Sequence, residues 1–346
     1  MQYSLVHKIG HRLWPVIRSS KKLRRLYNLC PLYPPFIEVE VVTRHRCPFN
    51  CVMCESSYWD EPDRDMTYKQ FKSIIDQFPK LKWIGLTGIG EAFLNKDFRA
   101  MVALCKERNM AIEIYDLMFF DNTEFLIDVG VDTILVSLDA ATEETYNKIR
   151  RNGNWNKSIT HTKKLFQLAK QKVSETGTGP ELLLHFIITT LNKDEMIPFI
   201  DLAKELADGY PVGIQFTRIL HWNKFPQAEE VKYECTEDEI DKVSEYAFNR
   251  GVTLKWGQNT WIEKPPMSDC IEWAMPFIFA DGTVIPCCVQ NLQFDRAYQR
   301  KTSLGNIFET PFKTLWKTTF KKLRKDLRDR KLPPVCVDCP LYERSK

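Results

Sequence analysis

The chain has 346 residues, 44% hydrophobic and 27% charged, the balance of a soluble globular protein with room for one barrel-sized domain and an appendage. No apolar run approaches the ~20 residues that a membrane helix needs, and Lys8, Arg12, Pro15 and Arg18 break the N-terminal apolar stretches, which argues against a secretory signal. The net charge of +4 is unevenly spread: residues 1–35 hold seven Lys/Arg and no acid, so the rest of the chain is net negative and nucleic-acid binding is not expected.

Residues 1–35 form a basic amphipathic N-terminal extension, in which Leu5, Ile9, Leu13, Trp14, Val16 and Ile17 precede Leu23, Leu26 and Tyr27. One reading is peripheral contact with a membrane surface or an acidic partner. The other is a helical lid docked on the barrel with its charges solvated.

Residues 36–235 alternate apolar strands with amphipathic helices. Strands are predicted over 36–42, 83–86, 111–115, 133–138, 182–188 and 212–216. Helices are predicted over 68–77, 97–108, 122–129, 143–150, 157–170 and 194–206. Six β–α repeats imply a parallel sheet with right-handed crossovers. The fold class is α/β, a partial (β/α)6 TIM-like barrel, open enough to admit a sizeable substrate.

After Arg218 the pattern changes. A helix is predicted over 237–249, with Thr236 as N-cap and Glu239 completing a capping box, and a strand over 252–255. A hairpin turns at Asp281-Gly282, and a basic helix covers 310–329. These form a small C-terminal α+β domain over 236–346.

Eleven cysteines in a chain of this size do not suit a secreted disulfide scaffold. Seven fall into two metal-like groups, leaving Cys30, Cys105, Cys235 and Cys288, and a reducing cytoplasm is expected. In the first group, Cys47, Cys51 and Cys54 follow the first strand within one short loop. Three thiolates so close in sequence wrap one compact object. On a [4Fe–4S] cubane they leave one iron open to a small molecule. A zinc site is the alternative, although zinc sites pair such cysteines with a second pair elsewhere.

Leu86-Thr87-Gly88-Ile89-Gly90-Glu91 follows the second strand. Its glycines let backbone approach a ligand closely, or mark a bare turn. Ser137 ends the fourth strand, where a serine can also be a cap. Tyr115, Asp116, His185, Arg218 and His221 lie near strand ends and are candidate substrate contacts, or core and capping residues.

The second group is Cys270, the Gly282-x4-Cys287 hairpin and Cys336-x2-Cys339. Four thiolates from one small unit can fully ligate a second cluster. Cys288 could replace Cys287, and a four-cysteine zinc site is the alternative.

The three-cysteine loop, with Met53 before its last cysteine, resembles the signature of the radical SAM enzymes. That resemblance implies that Cys47, Cys51 and Cys54 hold a cluster whose open iron chelates S-adenosyl-L-methionine. An electron from an external donor such as flavodoxin or ferredoxin then cleaves the sulfonium, and the 5′-deoxyadenosyl radical abstracts a substrate hydrogen. The glycine segment resembles the family's methionyl-amine motif, which implies cofactor contacts for Gly88, Gly90 and Glu91, with Ala92 where relatives usually carry Pro. The segment from Val136 to Arg150 is similar to the ribose-contacting segment, which implies a hydroxyl contact for Ser137 and a carboxylate contact for Arg150. The third strand departs from the family pattern, reading Ile114-Tyr115-Asp116-Leu117 where many relatives show Thr-Asn-Gly.

The C-terminal hairpin resembles the SPASM and shorter twitch extensions of that family. Four cysteines rather than seven imply a single auxiliary [4Fe–4S] cluster, on Cys270, Cys287, Cys336 and Cys339. The expected activity is a two-electron oxidation of a small polar or carbohydrate-like alcohol, with the auxiliary cluster as electron acceptor. A peptide-modifying maturase is the alternative within the class. A non-catalytic Fe–S electron carrier is the alternative outside it, and a carrier has no use for an iron with a vacant position.

Overall fold

The computed structural model describes residues 14, 16–29, 31–43, 47, 49–58, 61–219, 226–257, 265–291, 295–337, 339 and 341–343. Its strands in chain order are β1 Phe36–Thr43, β2 Asn50–Cys51, β3 Arg64–Asp65, β4 Trp83–Ile89, β5 Ala111–Asp116, β6 Thr133–Ser137 and β7 Arg150–Arg151. There follow β8 Glu181–Ile188, β9 Gly213–Arg218, β10 Thr253–Trp256, β11 Phe277–Ile278, β12 Thr283–Ile285 and β13 Gly305–Asn306. The chain divides into two compact bodies. One includes Cys47–Asp60 and Glu113–Thr260, the other Leu5–Arg46, Glu61–Ile112 and Trp261–Lys346.

In the first body β5, β6, β8, β9 and β10 are successive parallel neighbours. Side chains alternate across a sheet. Phe186 and Phe216 therefore share one face, where both rings pack against Phe199 of the helix Met196–Ala207. The opposite face carries a polar row, because the register aligns Ser137 with His185, His185 with Gln215, and Gln215 with Lys255.

The change of pattern expected after Arg218 does not interrupt this sheet. The helix Glu237–Asn249, with its Thr236–Glu239 capping box, leads into β10, which adds one more parallel strand beside β9. β10 is a four-residue edge strand with no fully buried residue. It lacks the apolar run that marks an interior parallel strand.

In the second body β1 pairs in parallel with β4 on one edge and with β11 on the other. The predicted hairpin is β11–β12, turning at Gly282 with φ +85°; Asp281 accepts the Thr283 N–H at 2.9 Å. The hairpin is locked to β1 by Glu40. Its carboxylate accepts the Ala280 N–H at 3.2 Å and pairs with Arg296, both side chains being 1% exposed. The single basic helix expected over 310–329 is two helices, Phe312–Lys317 and Thr319–Arg328, broken at Thr318 with φ −111° and ψ −86°.

The N-terminal helix Lys21–Leu29 also belongs to this body, and it buries Arg24, Tyr27 and Asn28. It packs beside the segment around Asp269–Trp273, and the arginines of the extension are not simply solvated. Arg18 pairs with Glu272 at 2.8 Å, Arg25 with Asp269 at 3.6 Å, and Tyr27 packs on Trp273. Among the described residues no helix is long and apolar enough to cross a membrane.

Candidate functional site

The first site is built on the cysteine loop of the first body. Cys51 ends β2, which pairs with β7 so that Cys51 faces Arg150 and Asn50 faces Arg151. The loop is tied down at each turn. Val52 N–H donates to Ile149 O at 3.0 Å and Cys54 N–H to Cys51 O at 3.1 Å. Ser57 Oγ donates to Cys51 O at 2.9 Å, and Tyr58 OH to Val52 O at 2.7 Å.

Burial pushes the Cys54 thiol up to about 12, with the Glu55 charge adding to it. Burial raises Cys51 as well, opposed by Arg150 and reinforced by Cys54 and Cys47. Cys51 and Cys54, which resist ionising where water is excluded and both feel the charge of Cys47, fit a metal cluster, which supplies the positive charge their thiolates lack.

Arg150 is the electrostatic hinge of this loop. It is 4% exposed, its Nη1 lies 3.9 Å from Cys51 Sγ, and its Nη2 donates to Asp139 Oδ2 at 2.5 Å. Burial opposes the charge, but Asp139 and Cys51 outweigh it and hold Arg150 protonated. Asp139 is held in turn by the Ile187 N–H at 2.7 Å. It has φ +61°, an uncommon conformation for a residue with a Cβ. Arg150 Nε is buried without a hydrogen-bond partner. An orphaned guanidinium donor beside the cluster loop suits a carboxylate such as that of the expected cofactor. Sequence reasoning gave Asp139 no role. The available signal was a carboxylate just past a strand end in a segment that also supplies a buried Arg.

Ser137 is 8% exposed and stands level with His185. His185 bonds Thr217 Oγ1 through Nε2 at 2.9 Å and meets the edge of Tyr115. Burial lowers its pKa to about 4, so the ring is neutral near pH 7. Tyr115 and His185 thus belong to the polar face. Asp116 does not, being 1% exposed and accepting the Met118 N–H at 2.6 Å, which makes it a loop-fixing residue. Arg218 pairs with Glu234 at 3.4 Å. His221 and Cys30 lie outside the described residues.

In the second body Gly88 sits in β4, where an added Cβ would lie 2.6 Å from Val42 Cγ1 and 2.7 Å from Val42 O. Glycine is therefore required there by the approach of β1, whatever the ligand does. Gly90 has φ +150°. Glu91 is 2% exposed and accepts the Phe93 N–H at 3.1 Å, capping the turn Ala92–Leu94.

The second site lies within the second body. Cys270, Cys287, Cys336 and Cys339 line one cavity together with Trp273 and Tyr342. Cys288 is not among its lining residues and packs instead against the Phe277, Phe279 and Ile285 cluster. Burial raises all of Cys270, Cys287 and Cys336, the last to about 12. Among the described residues no three His, Cys, Asp or Glu side chains converge as for a single metal ion. Four thiols lining one cavity suit an iron–sulfur cluster.

Comparison with known proteins separates the two cysteine sites. A model of the radical SAM superfamily matches residues 41–203, and a model of the SPASM iron–sulfur cluster-binding domain matches residues 270–340. The chain is 26% identical to the tungsten-containing aldehyde ferredoxin oxidoreductase cofactor-modifying protein of Pyrococcus furiosus over 327 residues, 89% of this chain and 88% of that protein. It is 24% identical over 216 residues to a GTP 3′,8-cyclase of Clostridium botulinum, covering 60% of this chain and 64% of that enzyme. Among solved structures it resembles Streptococcus suis SuiB bound to S-adenosylmethionine, with TM-score 0.66 and 13% identity over 94% of this chain and 80% of that one.

Proposed function

Because the chain belongs to the radical SAM superfamily and carries a SPASM-type iron–sulfur cluster-binding domain, we propose that it oxidises a small polar or carbohydrate-like alcohol by two electrons after hydrogen abstraction. Its cofactors are S-adenosyl-L-methionine, a [4Fe–4S] cluster of the barrel and auxiliary iron–sulfur ligation, and like other members of the family it needs an external reductant. We take that reductant to be a flavodoxin- or ferredoxin-like carrier. When bound, the barrel cluster supplies the electron that cleaves the sulfonium, and a single auxiliary cluster supplies an acceptor for the electron the substrate loses.

The residues of the chain have the following parts in this reading. Cys47, Cys51 and Cys54 hold the barrel cluster, and Arg150, fixed by Asp139, presents its buried Nε–H to the cofactor carboxylate. Ser137 meets the ribose, and Gly88, Gly90 and Glu91 form the methionyl side. Cys270, Cys287, Cys336 and Cys339 hold the auxiliary cluster.

The observation that carries the substrate class is the polar row Ser137, His185, Gln215 and Lys255 on one sheet face. Its histidine is neutral near pH 7 and Lys255 is paired with Glu181 at 2.8 Å. Such a wall offers hydrogen bonds with little net charge, which suits an uncharged hydroxylated molecule better than an apolar one. The Pyrococcus relative is named for modifying a cofactor, which agrees in kind with a small polar substrate.

The test uses anaerobically reconstituted protein with S-adenosyl-L-methionine, dithionite and pools of hydroxylated metabolites, read by mass spectrometry. The expected product is two hydrogens lighter than its parent, with one 5′-deoxyadenosine per turnover. The variant C336A/C339A should keep uncoupled 5′-deoxyadenosine formation and lose that product. A folded variant lacking the auxiliary cluster that still forms product at the parental rate would refute the acceptor role.

A further inference from the structure

We infer that the outward face shared by the N-terminal helix and the basic C-terminal helix of the second body binds an anionic lipid surface. The helix Lys21–Leu29 has its inward side committed, with Arg24, Tyr27 and Asn28 buried. Its outward side carries exposed Lys21 and Lys22, with Arg25 at the border, exposed but also paired with Asp269. On that side Leu26 is 60% exposed and Leu29 71%, and Leu32, just past the helix end, is 65% exposed. One exposed leucine on a surface is ordinary. Three within seven residues, flanked by cations, are not.

The helix Thr319–Arg328 repeats the division. It buries Phe320, Leu323 and Leu327 and exposes Lys321, Lys325 and Arg328. Arg328 Nη1 donates to the Asn28 carbonyl at 3.2 Å, at the end of the first helix, so the two basic faces adjoin. The nearest acid on the second helix, Asp326, is already paired with Lys322 at 2.8 Å.

The leucines decide the chemistry of the partner. An acidic protein could take the cations, but it would need an apolar groove shaped to leucines that run on past the helix end to Leu32. A bilayer uses both, because apolar side chains enter the acyl boundary while Lys and Arg stay among anionic headgroups. This surface lies on residues that take no part in the proposed reaction, and the inference stands or falls independently of it.

The experiment is co-sedimentation of the reconstituted full chain with vesicles of phosphatidylcholine alone and of phosphatidylcholine mixed with phosphatidylglycerol. Binding is expected to the mixed vesicles only, weakening as salt shortens the Debye length. Each cation close to the headgroups contributes about fivefold in partitioning, so K21E/K22E should weaken binding by more than tenfold. L26S/L29S, which leaves the charge unchanged, should abolish most of what remains. K321E/K325E alters only exposed lysines of the second helix and serves should the leucine variant not hold its fold, judged by iron content and its unfolding transition. Failure of the parent to bind anionic vesicles at low salt overturns the inference. So does binding that responds to charge reversal but not to the leucine changes, which would mark a purely electrostatic face suited to an acidic protein.

Discussion

Replacing Asp139 by Asn should unsettle the cysteine loop without touching a cysteine. Asp139 is fully buried and Arg150 is 4% exposed, joined by the bond from Nη2 to Oδ2. In Asp139→Asn the Ile187 N–H can keep its acceptor, but an amide donor then faces the guanidinium, which stays buried with its charge uncompensated. Breaking a buried pair from one side costs about 3–5 kcal/mol, a large share of a typical 5–15 kcal/mol stability.

Removing both charges, as in D139L/R150M, avoids the orphaned ion. It leaves the Ile187 N–H without its acceptor, worth about 1–3 kcal/mol, and sets leucine at φ +61°, a strain of about 1–2 kcal/mol shared with the D139L single variant. A double-mutant cycle by anaerobic denaturant unfolding of the apoprotein should therefore show strong coupling, with the double variant less damaged than the sum of its singles. In reconstituted R150M the reduced barrel cluster should have a more negative potential by redox-titrated magnetic resonance, since a cation 3.9 Å from Cys51 Sγ favours the extra electron. A loss below about 1 kcal/mol in D139N, or strict additivity in the cycle, would refute this account of the hinge.

Three further outcomes follow from the geometry. Reconstituted protein should hold ~8 irons, four for each of two cubanes, and Cys287→Ala should lose the auxiliary cluster whereas Cys288→Ala keeps it, as counted by iron analysis. His185 has a folded pKa lowered to about 4 against 6.5 for an ordinary histidine, so the unfolded chain binds the extra proton first and stability falls as pH drops from about 6.5 towards 4. His185→Gln should flatten that slope in apoprotein unfolding. The comparison with the parent cancels the opposite slope of Asp116, whose pKa is raised to about 6. Gly88→Ala should destabilise the second body by about 1–3 kcal/mol through overpacking against Val42, seen as an earlier unfolding transition.

Chemistry class, strand order along the chain and most helix bounds could be read from residues 36–346, because local signals carried them. Three cysteines within one loop must wrap one object, and a capping box such as Thr236–Glu239 depends only on its own neighbours. Apolar runs of interior parallel strands mark themselves for the same reason. What the tertiary structure decided was everything that joins distant segments. Cys287 rather than Cys288 lines the cavity because the chain leaves β12 at Ile285 and Cys288 already opens the short helix Cys288–Asn291, packed on the Phe277, Phe279 and Ile285 cluster. That β10 is a strand could be read, but not that it would extend the parallel sheet beside β9, since none of its four residues is fully buried. The basic extension docks beside Trp273 because Asp269 and Glu272, some 250 positions away, meet its arginines. Arg150 is a candidate for a carboxylate contact only through the resemblance of its segment to the family's. That Asp139 holds it there, level with Cys51, depends on two backbone pairings, β2 with β7 and β6 with β8, that no local pattern encodes.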